Sequence, residues 1–336
     1  MTAIADAAPR VARPTHQGLS HPDAFAPLYE KVRSELEAIA LERPLTDTTS
    51  LPPEPKLMEQ FGVSRGTLRR AIDELIRDGL LNAEQGRGTY VNQEERIRRV
   101  VWNRLANVAL PDSRFHLDLR HFVPDFTGRS RADARVVKQS AWTKADTIFL
   151  MPDNSTRALR HKALLAGKRI LVPTFGFRRG LVVLDGATIP DADKALASTL
   201  DGMEQIGERF APSDMAQLTR VDLVVTGATA AMGDGRVIGR GEPRLAIGWA
   251  ALEQLGIVDD SVRIIAVLHD CQLVDEWVPA IPEITVDLVA TPTRVLRCEP
   301  GATPPTGPRA QVDVPPSSVR AFLSGAPHSP SQKDSP

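Results

Sequence analysis

The sequence has few cysteines and aromatic residues, and it lacks both long apolar runs and an excess of charge of either sign. Its 336 residues include two cysteines, Cys271 and Cys298, too few for a disulfide framework or for a zinc site of their own. Aromatic residues make up 5% of the chain, and no apolar run reaches the length of a membrane-spanning helix. The first residues lack the apolar core of a secretory signal. We therefore expect a cytoplasmic protein with reduced thiols and no membrane contact.

The charge balance excludes a generally basic protein. The formal net charge is -1, whereas nucleic-acid binders usually carry a basic surplus. Any attraction to a polyanion must therefore come from a local cluster of cations, and it should depend strongly on salt. With 42% hydrophobic residues, the chain is long enough for two domains that each bury a core.

Residues 51–91 have the pattern of two short helices followed by a hairpin. Gly62 ends the first helix, and Ser64 can cap the second because its hydroxyl accepts from the free amides of the first turn. Apolar residues recur at helical spacing in the second helix, which predicts a buried face. These residues are Leu68, Ile72, Leu75 and Ile76.

Polar side chains in this segment are placed for contact with DNA. The start of the second helix carries three arginines, and the N-terminal residues of a recognition helix meet base edges and phosphates. Glycines flank Arg87 in the hairpin turn, which lets the backbone approach a surface closely. A solvated helix face is the alternative, but the order of the motifs favours DNA contact. The predicted DNA-binding residues are Lys56, Ser64, Arg65, Thr67, Arg69, Arg70, Gln85, Gly86, Arg87, Gly88 and Thr89.

These motifs resemble the winged helix-turn-helix of GntR-type transcription regulators. The resemblance rests on Pro27-Leu28-Tyr29, Leu51-Pro52-Pro53-Glu54-Pro55, Val63-Ser64-Arg65-Gly66-Thr67-Leu68-Arg69 and Gln85-Gly86-Arg87-Gly88-Thr89. The arginine that follows the glutamate in the family is Pro55 here, so Lys56 is the candidate to replace it as a base reader. The resemblance implies a double-stranded operator bound by a homodimer, with half-sites about one helical turn apart.

The pattern changes from about residue 115, where short runs of Val, Ile and Leu alternate with helical stretches. Such runs are typical of strands covered on both faces. They occupy residues 145–151, 168–173, 221–227, 262–269 and 286–290, with helix-like stretches at 155–165 and 245–255. The fold class predicted is therefore α/β, an N-terminal winged helix-turn-helix plus a C-terminal doubly wound, mostly parallel sheet domain.

The domain boundaries follow from changes in composition. We expect a disordered tail over residues 1–24, a winged helix domain over 25–92 that begins with a helix at 25–42, and a short joint at 92–95. The α/β domain should cover residues 96–297 and begin with a helix at 96–105. Residues 298–336 are rich in Pro, Ser and Ala, which predicts a second disordered tail.

Ligands of a parallel sheet bind at the carboxyl ends of its strands. Loops predicted at these ends combine glycines with arginines, a pattern that suits a phosphate or a carboxylate. The alternative for Arg178 and Arg179 is plain surface charge, and Glu242 is equally a candidate ion-pair partner of Arg240. The candidate residues for a small anionic ligand in these loops are Arg178, Arg179, Arg236, Gly239, Arg240, Gly241 and Glu242.

The second domain resembles the 5-formyltetrahydrofolate cyclo-ligase family, and within it the branch called methenyltetrahydrofolate synthetase domain-containing proteins. The resemblance runs from about Ile97 to Leu296 and rests on the motifs at 221–225, 236–242, 267–275, 286–287 and 291–295. It implies ATP, Mg²⁺ or a folate as ligands, and it adds Arg98 as a residue that grips phosphate.

Two departures from the family argue against catalysis. Glu94 stands where the family has a phosphate-binding lysine, and a carboxylate repels a triphosphate. Ala246 stands where the family has an aspartate that helps to hold the metal, and Mg²⁺ requires oxygen ligands. His269 and Cys271 lack a third catalytic partner, so a structural histidine at a strand end is the prediction there. We assign no catalytic and no metal-binding residue.

The sequence supports three hypotheses about function. The first is a DNA-binding transcription regulator of GntR type with a non-catalytic, cyclo-ligase-like domain that senses a folate or a nucleotide-like anion. The alternative is an active 5-formyltetrahydrofolate cyclo-ligase, dependent on ATP and Mg²⁺, fused to a DNA-binding head. The third treats the second domain as a dimerisation scaffold. In the first hypothesis the helix at 96–105 joins the two domains and carries their coupling.

Overall fold

The computed structural model describes residues 27–45, 47–174, 177, 179–210, 220–240, 244–275, 284–298 and 314–324. The expected N-terminal tail, residues 1–24, lies outside these residues. The chain divides into two compact units. The first unit comprises residues up to Glu42 together with Thr49–Val91, and the second comprises Arg43–Thr48 together with the chain from Asn92 onward. Among the described helices, none combines the length and the apolarity needed to cross a bilayer.

The described part of the first unit has three helices and a two-stranded hairpin, as the sequence predicts. Its elements are α1 (Leu28–Glu42), α2 (Glu54–Phe61), α3 (Arg65–Arg77), β1 (Leu81–Glu84) and β2 (Gly88–Val91). One apolar cluster holds it together, in which the buried faces of α1 and α3 meet, with Leu36 and Leu68 fully buried. Gly62 ends α2 in the left-handed conformation, and Ser64 caps α3 by accepting from the Thr67 amide at 3.2 Å.

The second unit is a mixed α/β domain. Its helices are α4 (Gln93–Leu105), α5 (Arg129–Val136), α6 (Ser140–Lys144), α7 (Arg157–Leu165), α8 (Asp191–Ala197), α9 (Leu200–Ile206), α10 (Arg244–Gln254) and α11 (Pro316–Ser324). Its strands are β3 (Thr147–Leu150), β4 (Arg169–Pro173), β5 (Leu181–Asp185), β6 (Glu208–Phe210), β7 (Leu223–Thr226), β8 (Ala230–Ala231), β9 (Arg236–Ile238), β10 (Arg263–Val267), β11 (Ile284–Thr285), β12 (Leu288–Ala290) and β13 (Val295–Arg297).

The main sheet has the order β13-β12-β10-β7-β3-β4-β5-β6. Its five central strands, β12, β10, β7, β3 and β4, are parallel and correspond to the five runs predicted from sequence. Neighbouring residues of a strand point to opposite faces, so Ile148 and Phe149 enter two separate cores, one on each side of the sheet. The mostly parallel sheet is therefore confirmed.

The antiparallel edges of the sheet were not predicted. β13 pairs with β12, and β5 and β6 extend the other side beyond β4, all antiparallel. The edge strand β6 buries only the last of its three residues, and β13 is half-buried at most. Such short strands lack the sustained apolar run that marks a central strand.

Three boundaries differ from the sequence expectation. Residues 93–95 are the first turn of α4 rather than a joint, because the Asn92 side chain caps this helix by accepting from the Glu95 amide at 3.3 Å. Residues 43–48 belong to the second unit. Within the tail expected to be disordered, α11 buries Val319 and Phe322, and the Phe322 and Phe177 rings lie 4.6 Å apart. Val319 and Phe322, three apart on one face of the helix, join the core cluster, and the partly buried Val314 and Leu323 pack against the same cluster.

A buried carboxyl group on α5 makes stability depend on pH. Asp133 is 1% exposed and pairs with Arg129 at 2.6 Å, while burial raises its pKa to about 6. Asp125 raises this pKa further, and Arg129 and Lys162 lower it. Because the folded-state pKa is above the usual 3.8, the folded state binds the proton more tightly, so stability is lost as pH rises through about 6.

We expect Asp133→Asn to remove this loss. Between about pH 4 and pH 8, the free energy of unfolding of the wild type should fall by up to roughly 3 kcal/mol because of this group. The free energy of unfolding of the variant should show no such fall. Urea unfolding at several pH values measures the difference between the two proteins. Parallel pH dependences for wild type and variant would show that Asp133 ionises normally.

Candidate functional site

Two exposed arginines at the start of α3 form ion pairs with the same carboxylate, that of Glu54 in α2. Arg65 Nε lies 2.8 Å from Glu54 Oε2, and Arg69 Nε lies 3.0 Å from Glu54 Oε1. Residues four apart share one face of a helix, so α2 supplies a single acceptor for both side chains. The hydrogen bonds from Arg65 and then Arg69 lower the pKa of Glu54, which keeps it ionised. Each guanidinium is more than half exposed and has further donors for a base edge or a phosphate.

Arg70 is directed to a different side of α3. Its guanidinium carbon lies 3.6 Å from the centre of the Tyr29 ring in α1, and its Nε lies 3.8 Å from Glu74 Oε1. This cation–π contact was not predicted, although Tyr29 belongs to the Pro27-Leu28-Tyr29 motif. The structure therefore brings Arg65 and Arg69 together and places Arg70 beside them on the adjoining surface next to α1.

The hairpin turn presents Arg87, whose side chain is 75% exposed and pairs with Glu84 at 3.0 Å. Gly86 and Gly88 have φ of +79° and +112°, values that favour glycine strongly. The Tyr90 hydroxyl donates to the Arg87 carbonyl at 3.0 Å, which closes the turn. Of the other predicted DNA contacts, Lys56 and Gln85 are exposed, and Thr89 is half-buried in β2.

A pocket lies at the carboxyl end of β3 in the second unit. It is a shallow, partly open pocket in which about 330 Å³ of space, much of it continuous with solvent, lies between apolar walls and a few charged groups. The residues that line it are Phe122, Val123, Met151, Pro152, Asp153, Asn154, Phe177, Arg240 and Arg244. Apolar walls with a few converging polar groups are typical of small-molecule sites.

Asp153 is held at the edge of this pocket by the backbone after β7. Its Oδ2 accepts from the Gly227 amide at 2.8 Å, and burial is the main cause that raises its pKa. A Cβ on Gly227 would lie 2.5 Å from Ser155 Oγ and 2.8 Å from Val123 Cγ1, so this approach requires glycine. Asn154 donates from its side-chain Nδ2 to Asp112 Oδ2 at 2.7 Å. The sequence pattern places Asp153 and Asn154 after a strand but does not single them out as ligand residues.

Arg160 of α7 fixes the backbone beneath Asp153. It is fully buried and donates to the carbonyl oxygens of Met151 and Asp153 at 3.1 Å and of Ser198 at 2.9 Å. Burial lowers its pKa to about 10, so the side chain remains a cation at neutral pH. Nothing in the local sequence distinguishes Arg160 from an exposed helical arginine, since its partners come from distant segments.

Two cations reach the pocket from the loop and helix after β9. Arg240 donates from Nη1 to the Arg120 carbonyl at 3.4 Å, and Arg244 lies with its guanidinium carbon 6.0 Å from the centre of the Phe177 ring. Arg244 is the first residue of α10, where the helix dipole already favours a negative charge. The pair of cations and the helix start therefore suit an anion. Arg240 was a predicted ligand residue, whereas Arg244 was missed.

The other predicted ligand residues lie elsewhere or outside the described part of the chain. Arg236 pairs with Asp234 at 2.6 Å, and Arg179 pairs with Glu204 at 2.5 Å, so neither lines this pocket. Residues 178, 241 and 242, which are Arg178, Gly241 and Glu242, are not among those the structure describes. Gly239 lies next to Arg240, and its carbonyl accepts a hydrogen bond from Arg98 of α4.

Arg98, predicted to grip phosphate, is buried against the glycine loop. It is 7% exposed, donates from Nε to the Gly239 carbonyl at 2.9 Å and pairs with Glu94 and Glu95. The carboxylate of Glu94, which stands in place of the family's lysine, is thus one of its partners. Arg98 supports the glycine loop behind the pocket because its donors point to that loop and to its own helix.

His269 makes hydrogen bonds within the turn that follows β10, and a structural role remains our prediction for it. Its Nδ1 accepts from the Cys271 amide at 3.2 Å, and its own amide donates to Gln272 Oε1 at 2.7 Å. Burial lowers the pKa of His269 and raises the pKa of Cys271, and it raises the pKa of Cys298 to about 11. Both thiols are therefore protonated and poorly nucleophilic at neutral pH.

The two family matches meet at residue 91, which is also where the first unit ends. Residues 28–91 match the family of bacterial regulatory proteins called gntR. Residues 91–292 match the 5-formyltetrahydrofolate cyclo-ligase family. The two sets of sequence motifs thus fall in two separate family matches.

Individual relatives match one unit each. A methenyltetrahydrofolate synthase domain-containing protein of Bos taurus is 32% identical over 60% of this chain, which spans about half (52%) of that relative's length. The HTH-type transcriptional repressor NagR of Bacillus subtilis is 37% identical over 20% of this chain and 28% of its own. The 5,10-methenyltetrahydrofolate synthetase of Aquifex aeolicus is 16% identical with a TM-score of 0.40, covering 62% of this chain and 95% of that one.

Proposed function

We propose that this chain, which belongs to the 5-formyltetrahydrofolate cyclo-ligase family, is a transcription regulator whose second unit senses a small anion. The proposal rests also on the first unit, which is a GntR-type DNA-binding domain. In this proposal it acts in the cytoplasm as a homodimer on a double-stranded operator. The sensed ligand is a folate or a nucleotide-like anion. The second unit has lost the catalytic activity of its family.

The paired arginines on Glu54 are the observation that carries the DNA-binding part. A shared carboxylate orients Arg65 and Arg69 before DNA arrives, which reduces the conformational freedom lost on binding. Ser64 begins the helix beside them, and Arg87 projects from a turn whose backbone favours glycine on both sides. The similarity of this unit to a repressor, NagR, supports the same role.

The residues present do not suit ATP with Mg²⁺. Arg98 is buried against the glycine loop and Glu94 is its ion-pair partner, so this pair offers no free cation to a triphosphate. Ala246 is buried and has no side-chain oxygen for a metal. Arg240 and Arg244 nevertheless remain at the pocket, beside the aromatic rings of Phe122 and Phe177. This combination favours binding of a planar anion over its chemical conversion.

Ligand binding and turnover separate the three hypotheses. With purified protein and 5-formyltetrahydrofolate, ATP and Mg²⁺, we expect no absorbance of methenyltetrahydrofolate. We also expect a folate to raise the thermal midpoint, by an amount equivalent to about 2.7 kcal/mol at 100 times its Kd. Arg244→Gln should abolish this shift, whereas Arg179→Gln, which changes an arginine that pairs with Glu204 and does not line the pocket, should retain it. Turnover would establish the enzyme, and no shift with any folate or nucleotide would favour the scaffold.

A further inference from the structure

The segment that joins α1 to α2 of the DNA-binding unit is packed into the other unit. The chain leaves the first unit after Glu42, returns to it at Thr49 and leaves it again after Val91. Residues 43–48, between the first two of these points, belong with α4 in the second unit. Leu45 is 8% exposed and shares an apolar cluster with Ile97 and Val101 of that helix. The chain of the DNA-binding unit is therefore connected to the second unit at the end of α1, at the approach to α2 and at the end of its hairpin.

Arg96 holds this segment by its backbone. The side chain is fully buried and donates to the carbonyl oxygens of Arg43 at 3.2 Å, of Asp47 at 3.4 Å and of Pro44. Gln93, one turn earlier, donates from Nε2 to the Asp47 carbonyl at 2.7 Å. A buried cation that binds several carbonyls of one segment fixes its path, because leaving those acceptors unpaired away from water is costly.

The same helix holds the pocket loop on another side. Arg98 donates to the Gly239 carbonyl at 2.9 Å, and the next residue of that loop, Arg240, lines the pocket. Residues two apart on a helix are separated by about 200°, so Arg96 and Arg98 point in nearly opposite directions. The first two turns of α4 thus lie between the pocket loop and residues 43–48.

We propose that α4 transmits occupancy of the pocket to the DNA-binding unit, with Arg98 and Arg96 as the positioning residues at its two sides. An anion bound by Arg240 displaces the loop at Gly239, Arg98 carries the displacement to α4, and Arg96 alters the path of residues 43–48 between α1 and α2. This inference rests on the proposed function. It requires that the anion bind two arrangements of α4 with different affinity.

DNA affinity with and without a folate tests the coupling. The probe is 5-formyltetrahydrofolate at saturation, and the DNA is a fragment selected by the wild type from a random pool. We expect the probe to change the Kd for DNA of the wild type by about 5-fold or more. In Arg96→Gln, the ratio of the Kd values for DNA measured with and without the folate should be close to one. The Kd for DNA in the absence of the folate and the Kd for the folate should each stay within about twofold of wild type.

A matched variant and a measurement on the wild type keep the test decisive. Arg104→Gln changes an exposed arginine of the same helix and should leave the ratio unchanged. Hydrogen exchange on unmodified protein should show that the folate alters protection of residues 43–48 and not of the β1–β2 hairpin. If Arg96→Gln perturbs folding, the hydrogen-exchange result on the wild type decides whether α4 transmits occupancy of the pocket.

The proposal and its premise fail in different ways. Full coupling in Arg96→Gln, or a wild type that binds DNA and folate independently with unaltered exchange at 43–48, would overturn the role of α4 and leave operator binding intact. A wild type that enriches no DNA sequence at all would instead refute the regulator itself.

Discussion

Operator binding is expected to weaken by about a thousandfold when Arg65 and Arg69 are both replaced by alanine. Each arginine that contacts a base or phosphate contributes about 1–3 kcal/mol, so two such losses sum to about 2–6 kcal/mol, and the middle of that range corresponds to about a thousandfold. The structure supports a joint effect because Glu54 holds both guanidinium groups at the start of α3. In the proposed homodimer each half-site suffers the loss, which increases the effect.

The measurement is fluorescence anisotropy with the selected DNA at several salt concentrations. A phosphate contact reveals itself by a shallower dependence of log Kd on log salt, whereas a base contact lowers discrimination between the selected and a scrambled sequence. The control is Arg77→Ala, an exposed arginine in the last turn of the same helix, which should change Kd little. Equal losses for the control and the double variant would mean that only general charge matters.

Thermal stability of the variants must be unchanged for this result to be informative. Arg65 and Arg69 are more than half exposed, and surface ion pairs contribute about 0–1 kcal/mol. We therefore expect the double variant to unfold within a few degrees of wild type. A large loss of stability would assign the two arginines a structural role that their exposure does not suggest.

Replacing Arg160 by methionine should destabilise the second unit by about 3–5 kcal/mol. The substitution keeps an apolar stem but removes the donors to Met151, Asp153 and Ser198, whose carbonyl oxygens lie where water cannot replace the cation. The corresponding fall in the thermal midpoint of this unit is roughly 10 °C. Because Arg160 fixes the chain under Asp153, binding of an anion in the pocket should weaken as well.

Arg157→Met provides the control for that prediction. Arg157 begins the same helix and is exposed, so its replacement should alter unfolding by no more than about 0.5 kcal/mol. Calorimetry of both variants, together with folate titration, gives stability and binding separately. An Arg160→Met protein as stable as wild type would show that the carbonyl oxygens find other donors.

The elements that the sequence predicts well are those whose signals are local. A cap at Ser64, a break at Gly62 and glycines around Arg87 each act within a few residues, so neighbouring residues alone define the helices and the hairpin of the winged unit. The five central strands of the second unit are recognisable because burial on both faces requires continuous apolar runs. The edge strands and α11 escape prediction, since they take their stability from neighbours rather than from their own composition.

The sequence by itself determined the two units, the cationic start of α3 and the departures from the family pattern at Glu94 and Ala246, because each depends on residue type at a fixed spacing. Only the tertiary structure decided that Arg240 and Arg244 meet Asp153 at one pocket, that Arg98 lies behind it, and that Arg96 holds residues 43–48. These groupings join distant segments, and Arg98 and Gly239, for example, are 141 residues apart. The spacing of residues along the chain does not indicate which distant segments come into contact. The packing of the sheet and of α4 determines those contacts.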